Sequence, residues 1–264
     1  MKKSVLITGV SKGIGRAIAE KFLQEGYLVY GTYFKDKDKA FELQRNYGDK
    51  AVKLFGPIDF TRIEESERFL NEIREYKFDA VICNAGVFRE HDDFNNFDIN
   101  IFRETMNCNF YAPLILTIGL KDRIINGGAI VIISSNDAYS GAFSSISYSV
   151  SKSALLSLMK CLSVNYGKQN VRVNSVAPGA IDTDMNTLEQ MNIAPYFTPI
   201  ARMGKTNDVA NVVYFLASDA SSFISGENIT IDGGYSIMSI LFKSEATPAL
   251  SKALQEFIKK MNRL

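Results

Sequence analysis

Short apolar runs alternate with amphipathic stretches along all 264 residues. Residues 4–8 read as a strand; Ile14, Ile18 and Phe22 then recur at helical spacing until Gly26 stops the helix. The pattern predicts further strands over 28–33, 51–58, 79–83, 129–134, 171–176 and 228–231. Between them it predicts helices from about 37, over 64–76, over 102–120 as one long helix, over 148–166 and over 208–217. Strand–helix alternation of this length implies an α/β protein: a doubly wound parallel sheet with helices on both faces. Neither a repeat, a low-complexity tract nor a linker interrupts it. One domain over 1–240 is expected, with a C-terminal helical extension over 241–264.

Composition narrows the function classes. Lys and Arg number 30 against 29 Asp and Glu, so the net charge of +1 gives no electrostatic case for nucleic acid. The 46% hydrophobic content is enough for a sizeable core and excludes a disordered chain. Cys83, Cys108 and Cys161 lie far apart without a CxxC pair, which suits buried thiols in a reducing compartment better than a disulfide framework or zinc site. With His91 the sole histidine, a His-based metal centre or Ser-His-Asp triad is not expected. The opening apolar run is too short for a signal segment, and nothing approaches ~20 apolar residues. A cytoplasmic protein with no membrane contact is the expectation.

Thr8-Gly9-Val10-Ser11-Lys12-Gly13-Ile14-Gly15 joins the first strand to the first helix. Glycines let backbone approach a pyrophosphate, and a helix N-terminus offers unpaired N–H groups. The spacing is Gly-x3-Gly-x-Gly. At the end of the second strand a carboxylate would hold the ribose hydroxyls and repel a 2′-phosphate. The chain has Gly31-Thr32-Tyr33-Phe34-Lys35 there, with no acid before Asp36. Lys12 and Lys35 could pair with a phosphate and Thr32 could donate to it, so NADP (NADPH) is expected over NAD. Asp59, after the third strand, could accept from an adenine amino group, cap the next helix, or do both.

Tyr148 and Lys152 stand at i and i+4, on one helix face. An ammonium beside a phenol favours the phenolate, so the Tyr148 pKa is expected below its ordinary ~10. A tyrosine so tuned can protonate a carbonyl oxygen as hydride arrives. Taken alone, a Tyr-x3-Lys pair is ordinary surface chemistry, and its neighbours change that. Ser135 ends a strand at the edge where open α/β sheets bind ligands, and Asn84-Ala85-Gly86 follows the fourth strand at the same edge. Asn109 sits within a predicted helix, where an amide has below-average propensity.

Together these residues make the chain resemble a short-chain dehydrogenase/reductase over about 4–236, through the glycine turn, Asp59, Asn84-Ala85-Gly86, Asn109, Ser135, Tyr148-x3-Lys152, Pro178-Gly179 and Asp232-Gly233-Gly234. The resemblance implies a single-domain Rossmann-type fold and an NAD(P)-dependent enzyme acting on CH–OH/C=O. It implies Tyr148 as general acid/base, Ser135 orienting the carbonyl, and Lys152 binding the nicotinamide ribose while lowering the tyrosine pKa. Asn109 would hold a water in a proton relay. The Ile181 backbone and Thr183 side chain would meet the nicotinamide amide beside Pro178 and Gly179. Cys83 replaces a more usual asparagine. Residues 84–90, 200–204 and 215–219 look most like 3-oxoacyl-[acyl-carrier-protein] reductases, whereas the enoyl reductase branch usually shows Tyr-x6-Lys and would need a tyrosine at Ser145.

Residues 185–203 are expected to form a substrate lid. Its Met185, Leu188, Met191, Ile193, Tyr196 and Phe197 suit a partly apolar substrate, or packing on the body or a neighbouring subunit. His91 follows the fourth-strand loop and could reach the pocket. In the tail, Thr247-Pro248 suits a helix start, Leu250, Leu254, Phe257, Ile258 and Met261 form an apolar stripe, and Lys259, Lys260 and Arg263 suit the C-terminal end. That helix is expected at a subunit interface, with a membrane-surface or carrier-protein contact as the alternative. Three function classes follow: an NADP(H)-dependent carbonyl reductase, with a carrier-bound 3-oxoacyl thioester as one candidate substrate; a polyol, sugar or hydroxysteroid dehydrogenase; and a non-catalytic dinucleotide sensor, which the intact Ser135, Tyr148 and Lys152 set disfavours. The resemblance also implies a homo-oligomer, a tetramer or dimer.

Overall fold

The computed structural model describes residues 2–89, 92–141, 145–185, 194–195, 197–238 and 252. The strands are β1 (Ser4–Ile7), β2 (Leu28–Thr32), β3 (Val52–Phe55), β4 (Phe78–Cys83), β5 (Ile124–Ile133), β6 (Arg172–Pro178) and β7 (Asn228–Ile231). They lie in the order β3-β2-β1-β4-β5-β6-β7, and every pairing is parallel. β1 and β6 are buried along their whole length; β1 accordingly reads as a short unbroken run rather than an alternating one, whereas β6 carries the buried polar residues Arg172 and Asn174.

The helices are α1 (Gly13–Gln24), α2 (Lys37–Tyr47), α3 (Ile63–Ile73), α4 (Ile99–Met106), α5 (Ala112–Gly119), α6 (Ile146–Tyr166) and α7 (Thr206–Ala217). Two cores form. In one, Ile18 and Phe22 of α1 meet Val209, Val213 and Leu216 of α7 over Val5, Ile7 and Val131. In the other, Phe69, Leu116, Leu155 and Met159 pack over Leu6, Val81 and Ile130. Alternate residues of β1 thus serve opposite faces, as the period of a strand requires. The winding direction reverses between β1 and β4, so the crevice of this sheet opens at their C-terminal ends.

Two departures from the sequence expectation bear on the site. Residues 102–120 do not form one helix: α4 ends at Met106, a π-turn spans Asn107–Tyr111, and α5 follows. Pro113 has no N–H, so the α-helical bond to the Asn109 carbonyl cannot form. The Ala112 N–H reaches back to the Asn107 carbonyl instead. The π-turn carries Asn109 inward, 1% exposed. β5 starts at Ile124 rather than 129, because a register shift against β4 carries pairing past the Asn126-Gly127-Gly128 turn signal. The tail helix, the boundary at 240, His91 and lid residues Leu188, Met191, Ile193 and Tyr196 lie outside the described residues.

Arg172, at the start of β6, is buried. It donates to the Leu216 carbonyl and Ser221 Oγ at 2.6 Å each and to the Ser218 carbonyl at 3.0 Å. The guanidinium thereby caps the C-terminal end of α7, where a cation suits the helix dipole. Arg172→Met leaves these buried acceptors short of a donor. A loss of about 2–4 kcal/mol is expected by urea denaturation; an unchanged midpoint would show that the cap contributes nothing.

Candidate active site

Thr8 and Asn84 hold the glycine turn together. Thr8 Oγ1 accepts from the backbone N–H groups of Asn84 and Ala85, at 2.9 Å each. Asn84 Nδ2 donates back to the carbonyls of Thr8 and Gly9 at 2.9 and 3.1 Å. A Cβ on Gly15 would lie 1.9 Å from the Gly9 carbonyl oxygen and 2.3 Å from Asn84 Nδ2, so only glycine fits. Gly9 itself has φ +77°, the left-handed region. Ser11 is buried, and Lys12, Gly13 and Ile14 bring the N-terminus of α1 to the crevice.

Several expected ligand contacts turn out to act on this turn or on the loops around it. Thr32 is 1% exposed, and its hydroxyl oxygen accepts from the Gly9 N–H at 2.9 Å. It supports the turn from beneath and does not present itself to a phosphate. Lys12 Nζ lies 3.3 Å from Asp36 and 3.5 Å from Asp184; its pKa is raised, first by the hydrogen bond to Asp36. Asp36 is thereby paired with a cation close to the end of β2. Lys35 Nζ sits over the exposed Phe34 ring. Asp59 caps no helix: its Oδ1 accepts from Thr61 N and Oγ1 at 3.1 and 2.7 Å, and the N-cap of α3 is Arg62.

The segment after β6 returns to the same crevice. Pro178 ends the strand, and Gly179 donates to the Ile231 carbonyl while packing against Asp232. Ile181 is buried and bridges to Gly204, and the Thr183 methyl carbon lies beside Gly13. Residues 198–200 of the expected lid pack on Gly233 and Gly234.

The groups expected to react gather across the crevice. Tyr148 and Lys152 lie one turn apart on α6, both buried, with Nζ 5.4 Å from the centre of the phenol ring. Lys152 Nζ donates to the Ile133 carbonyl at 2.9 Å, and Ser134 Oγ donates to the Lys152 carbonyl at 2.9 Å. These bonds fix α6 to the end of β5, from which Ser135 projects. Phe88 packs edge-on against Tyr148 at 5.2 Å. Asn109 Oδ1 accepts from Val87 N, and its Nδ2 donates to the Val87 carbonyl and Ser151 Oγ. Its amide therefore ties the loop after β4 to α6. Gly86 lets this loop close in, since a Cβ there would stand 3.3 Å from Asn109 Oδ1 and 3.5 Å from Lys152 Nζ.

Electrostatics overturn one expectation. Burial pushes the Tyr148 phenol up to about 12; the Ser135 hydroxyl pulls the other way, and Asp137 adds to the rise. Burial weighs on Lys152 too and brings it down to about 8. Desolvation disfavours the charged form of each group and is the largest cause of both shifts. The chain alone holds a protonated phenol beside an ammonium that is readily lost.

A family model described as enoyl-(acyl carrier protein) reductase matches residues 9–236. The chain belongs to the short-chain dehydrogenase/reductase superfamily. It is 33% identical over 242 residues to the 3-oxoacyl-[acyl-carrier-protein] reductase of Aquifex aeolicus, covering 88% of this chain and 96% of that one. It is 31% identical over 245 residues to the L-rhamnose 1-dehydrogenase (NADP(+)) of Thermoplasma acidophilum, covering 88% and 95%. Among solved structures it resembles a blue fluorescent protein from a metagenomic library in complex with NADPH, with TM-score 0.82, 26% identity, and 88% and 97% covered. Relatives named for a thioester and for a sugar thus stand at similar identity, and neither subfamily dominates. This short-chain dehydrogenase/reductase is an NAD(P)(H)-dependent oxidoreductase acting on carbonyl and alcohol groups. None of its described helices is long and apolar enough to cross a membrane.

In this dehydrogenase/reductase the sequence reading missed Ser151, which locks Asn109, and Asp137, whose backbone N–H donates to Ser135 Oγ. Both types are common in turns and helices, and only the fold brings them to the site. The lowered Lys152 pKa has a testable sign. Below about 8 the group is an ammonium that donates hydrogen bonds; above it the charge is lost. NADPH affinity is therefore expected to fall as pH rises through about 8, by up to tenfold per unit. Fluorescence titration from pH 6 to about 10 measures this. Lys152→Met should bind weakly without that step; a step that survives the substitution would belong to another group.

Proposed function

We propose that the chain interconverts a carbonyl and a secondary alcohol with NADP(H), Tyr148 serving as general acid in reduction and general base in oxidation. What carries this reading is the convergence of Ser135, Tyr148 and Lys152, all buried, on the crevice edge that also holds the glycine turn. The dinucleotide, when bound, supplies or accepts the hydride. In reduction the carbonyl carbon gains that hydride and the carbonyl oxygen takes the Tyr148 proton, while Ser135 donates to the same oxygen. The phenolate left behind regains a proton from solvent. Lys152 holds ribose hydroxyls, and Asn109 positions α6 and Val87 for the exchange. Gly9, Ser11, Gly13, Ile14 and Gly15 offer the pyrophosphate a helix N-terminus. Asp59 would accept from the adenine, and Ala85, Gly86, Pro178, Gly179, Ile181 and Thr183 would hold the rest of the cofactor. Thr32 and Asn84 act through the turn.

NADP(H) over NAD(H) is supported by the buried Thr32 and Tyr33 where a ribose-binding acid would stand, and by Lys12, which neutralises Asp36. Paired fluorescence titrations test this, NADPH being expected to bind at least tenfold tighter; tighter NADH binding overturns it. Homo-oligomer formation belongs to the same reading. It is supported by the apolar Ile99, Tyr111 and Ile118, exposed along the α4–α5 stretch. A cytoplasmic location rests on the sequence expectation.

A further inference from the structure

Asp92 is a wholly buried acidic side chain that the proton transfer leaves unused. It stands on the connection after β4 and meets the N-terminal end of α6 twice. Its backbone carbonyl accepts from the Ile146 N–H at 2.9 Å, and its Oδ2 accepts from the Ser147 N–H at 2.7 Å. The first N–H groups of a helix have no partner within it, and its dipole favours a carboxylate there. Asp92 therefore supplies, from 55 residues away in the chain, a cap that could have been made locally. Ser145 is a favoured residue type for that task, yet its side chain makes no cap. The arrangement carries a cost. Asp92 Oδ1, Ser145 Oγ and Ser147 Oγ are buried without a hydrogen-bond partner among the described residues, and such atoms lower stability.

A cap drawn from a distant loop does what a local one does not: it fixes the loop and the helix to each other. Phe88, on the same connection, packs edge-on against the Tyr148 ring at 5.2 Å. Tyr148 directly follows Ser147, whose N–H the carboxylate holds. Behind the tyrosine, Ser151 Oγ donates to the Tyr148 carbonyl at 2.7 Å and is itself held by Asn109. Lys152 has a separate anchor, the Ile133 carbonyl at 2.9 Å. The first turn of α6 thus hangs on Asp92, whereas the next is tied to β5. We propose that Asp92 is a positioning residue for the general acid/base, fixing the first turn of α6 and so where the Tyr148 hydroxyl stands relative to the nicotinamide. The proposal rests on Tyr148 carrying the proton.

Two titrations test it without a substrate. NADPH fluorescence measures cofactor binding. Phenolate absorbance, taken for each protein minus its Tyr148→Phe counterpart, measures how far bound NADP+ lowers the Tyr148 midpoint. Asp92→Ala is expected to bind NADPH within about threefold of the wild type, because the Lys152 anchor is independent of the cap. The NADP+-induced drop should shrink by about half or more, since the pull of one charge on another falls with their separation. Asp92→Asn keeps an acceptor oxygen at the same reach and should restore most of the drop. A residue that merely stabilises the fold would lower the melting temperature and leave the drop intact in the protein that binds NADPH; that result overturns the proposal. So does an asparagine variant no better than alanine, or a folded Asp92→Ala that has lost NADPH binding. Should Asp92→Ala not fold, Asp92→Glu replaces it: the extra methylene displaces the cap, and an undiminished drop refutes the proposal. A wild-type midpoint that NADP+ does not move removes the role given to Tyr148 and the proposal with it, whereas equal drops in wild type and Asp92→Ala sink the proposal alone.

Discussion

Tyr148→Phe is expected to bind NADPH within about threefold of the wild type while turnover falls by roughly 10³-fold, the scale of a lost general acid. The ring fills a packed position: it is 9% exposed and meets Phe88 edge-on, and phenylalanine preserves both the volume and that contact. Only the hydroxyl leaves. Ser135 keeps its place just beyond β5, and Lys152 keeps its bond to the Ile133 carbonyl, so cofactor affinity should survive. Absorbance of reduced nicotinamide under single-turnover conditions measures the chemical step, and fluorescence titration measures binding. Turnover within tenfold of the wild type would remove Tyr148 from the proton transfer.

The second large effect is expected at Gly15. Alanine is the better helix former by about 1 kcal/mol, so propensity alone makes Gly15→Ala stabilising. Sterics decide otherwise. The added carbon would stand 1.9 Å from the Gly9 oxygen and 2.3 Å from Asn84 Nδ2, forcing apart the two elements that the Asn84 amide clamps together. NADPH affinity should fall at least ~100-fold, with stability lower by about 1–3 kcal/mol as for other overpacked sites. Gly167→Ala is the matched control, because a Cβ there meets nothing within 4 Å; it should leave binding unaltered. Titration of both variants beside their denaturation curves checks this, and near wild-type binding by Gly15→Ala would refute the crowded turn.

Strand and helix identities were legible because each serves a face whose period the chain displays. The apolar runs of β1 and β4 and the Ile14-Ile18-Phe22 spacing of α1 are local signals of global burial. The candidate site residues could be singled out for a related reason, since Ser135, Tyr148 and Lys152 stand close in sequence on one strand–turn–helix unit. What stayed hidden depends on partners far along the chain. Asn84 binds Thr8 and Gly9 across more than seventy residues, and Arg172 caps a helix end more than forty residues away. The π-turn at Asn109 left one local trace, Pro113, easily overlooked because apolar spacing continues through it. The direction of the Tyr148 shift was misjudged because pairing with Lys152 follows from helix geometry, whereas burial of both groups follows only from the finished fold.

That correction moves the source of acidity. Burial keeps the phenol protonated, which serves reduction, and its ionisation for oxidation is expected to need positive charge beyond that of Lys152. Phenolate absorbance tests this directly. The chain has 12 tyrosines, so the signal is taken as wild type minus Tyr148→Phe. In the free protein no Tyr148 phenolate should form up to about pH 10, an ordinary tyrosine's midpoint; with NADP+ bound, the midpoint should drop below that value. A phenolate that forms well below pH ~10 without the dinucleotide, or a midpoint the dinucleotide does not move, would contradict the account.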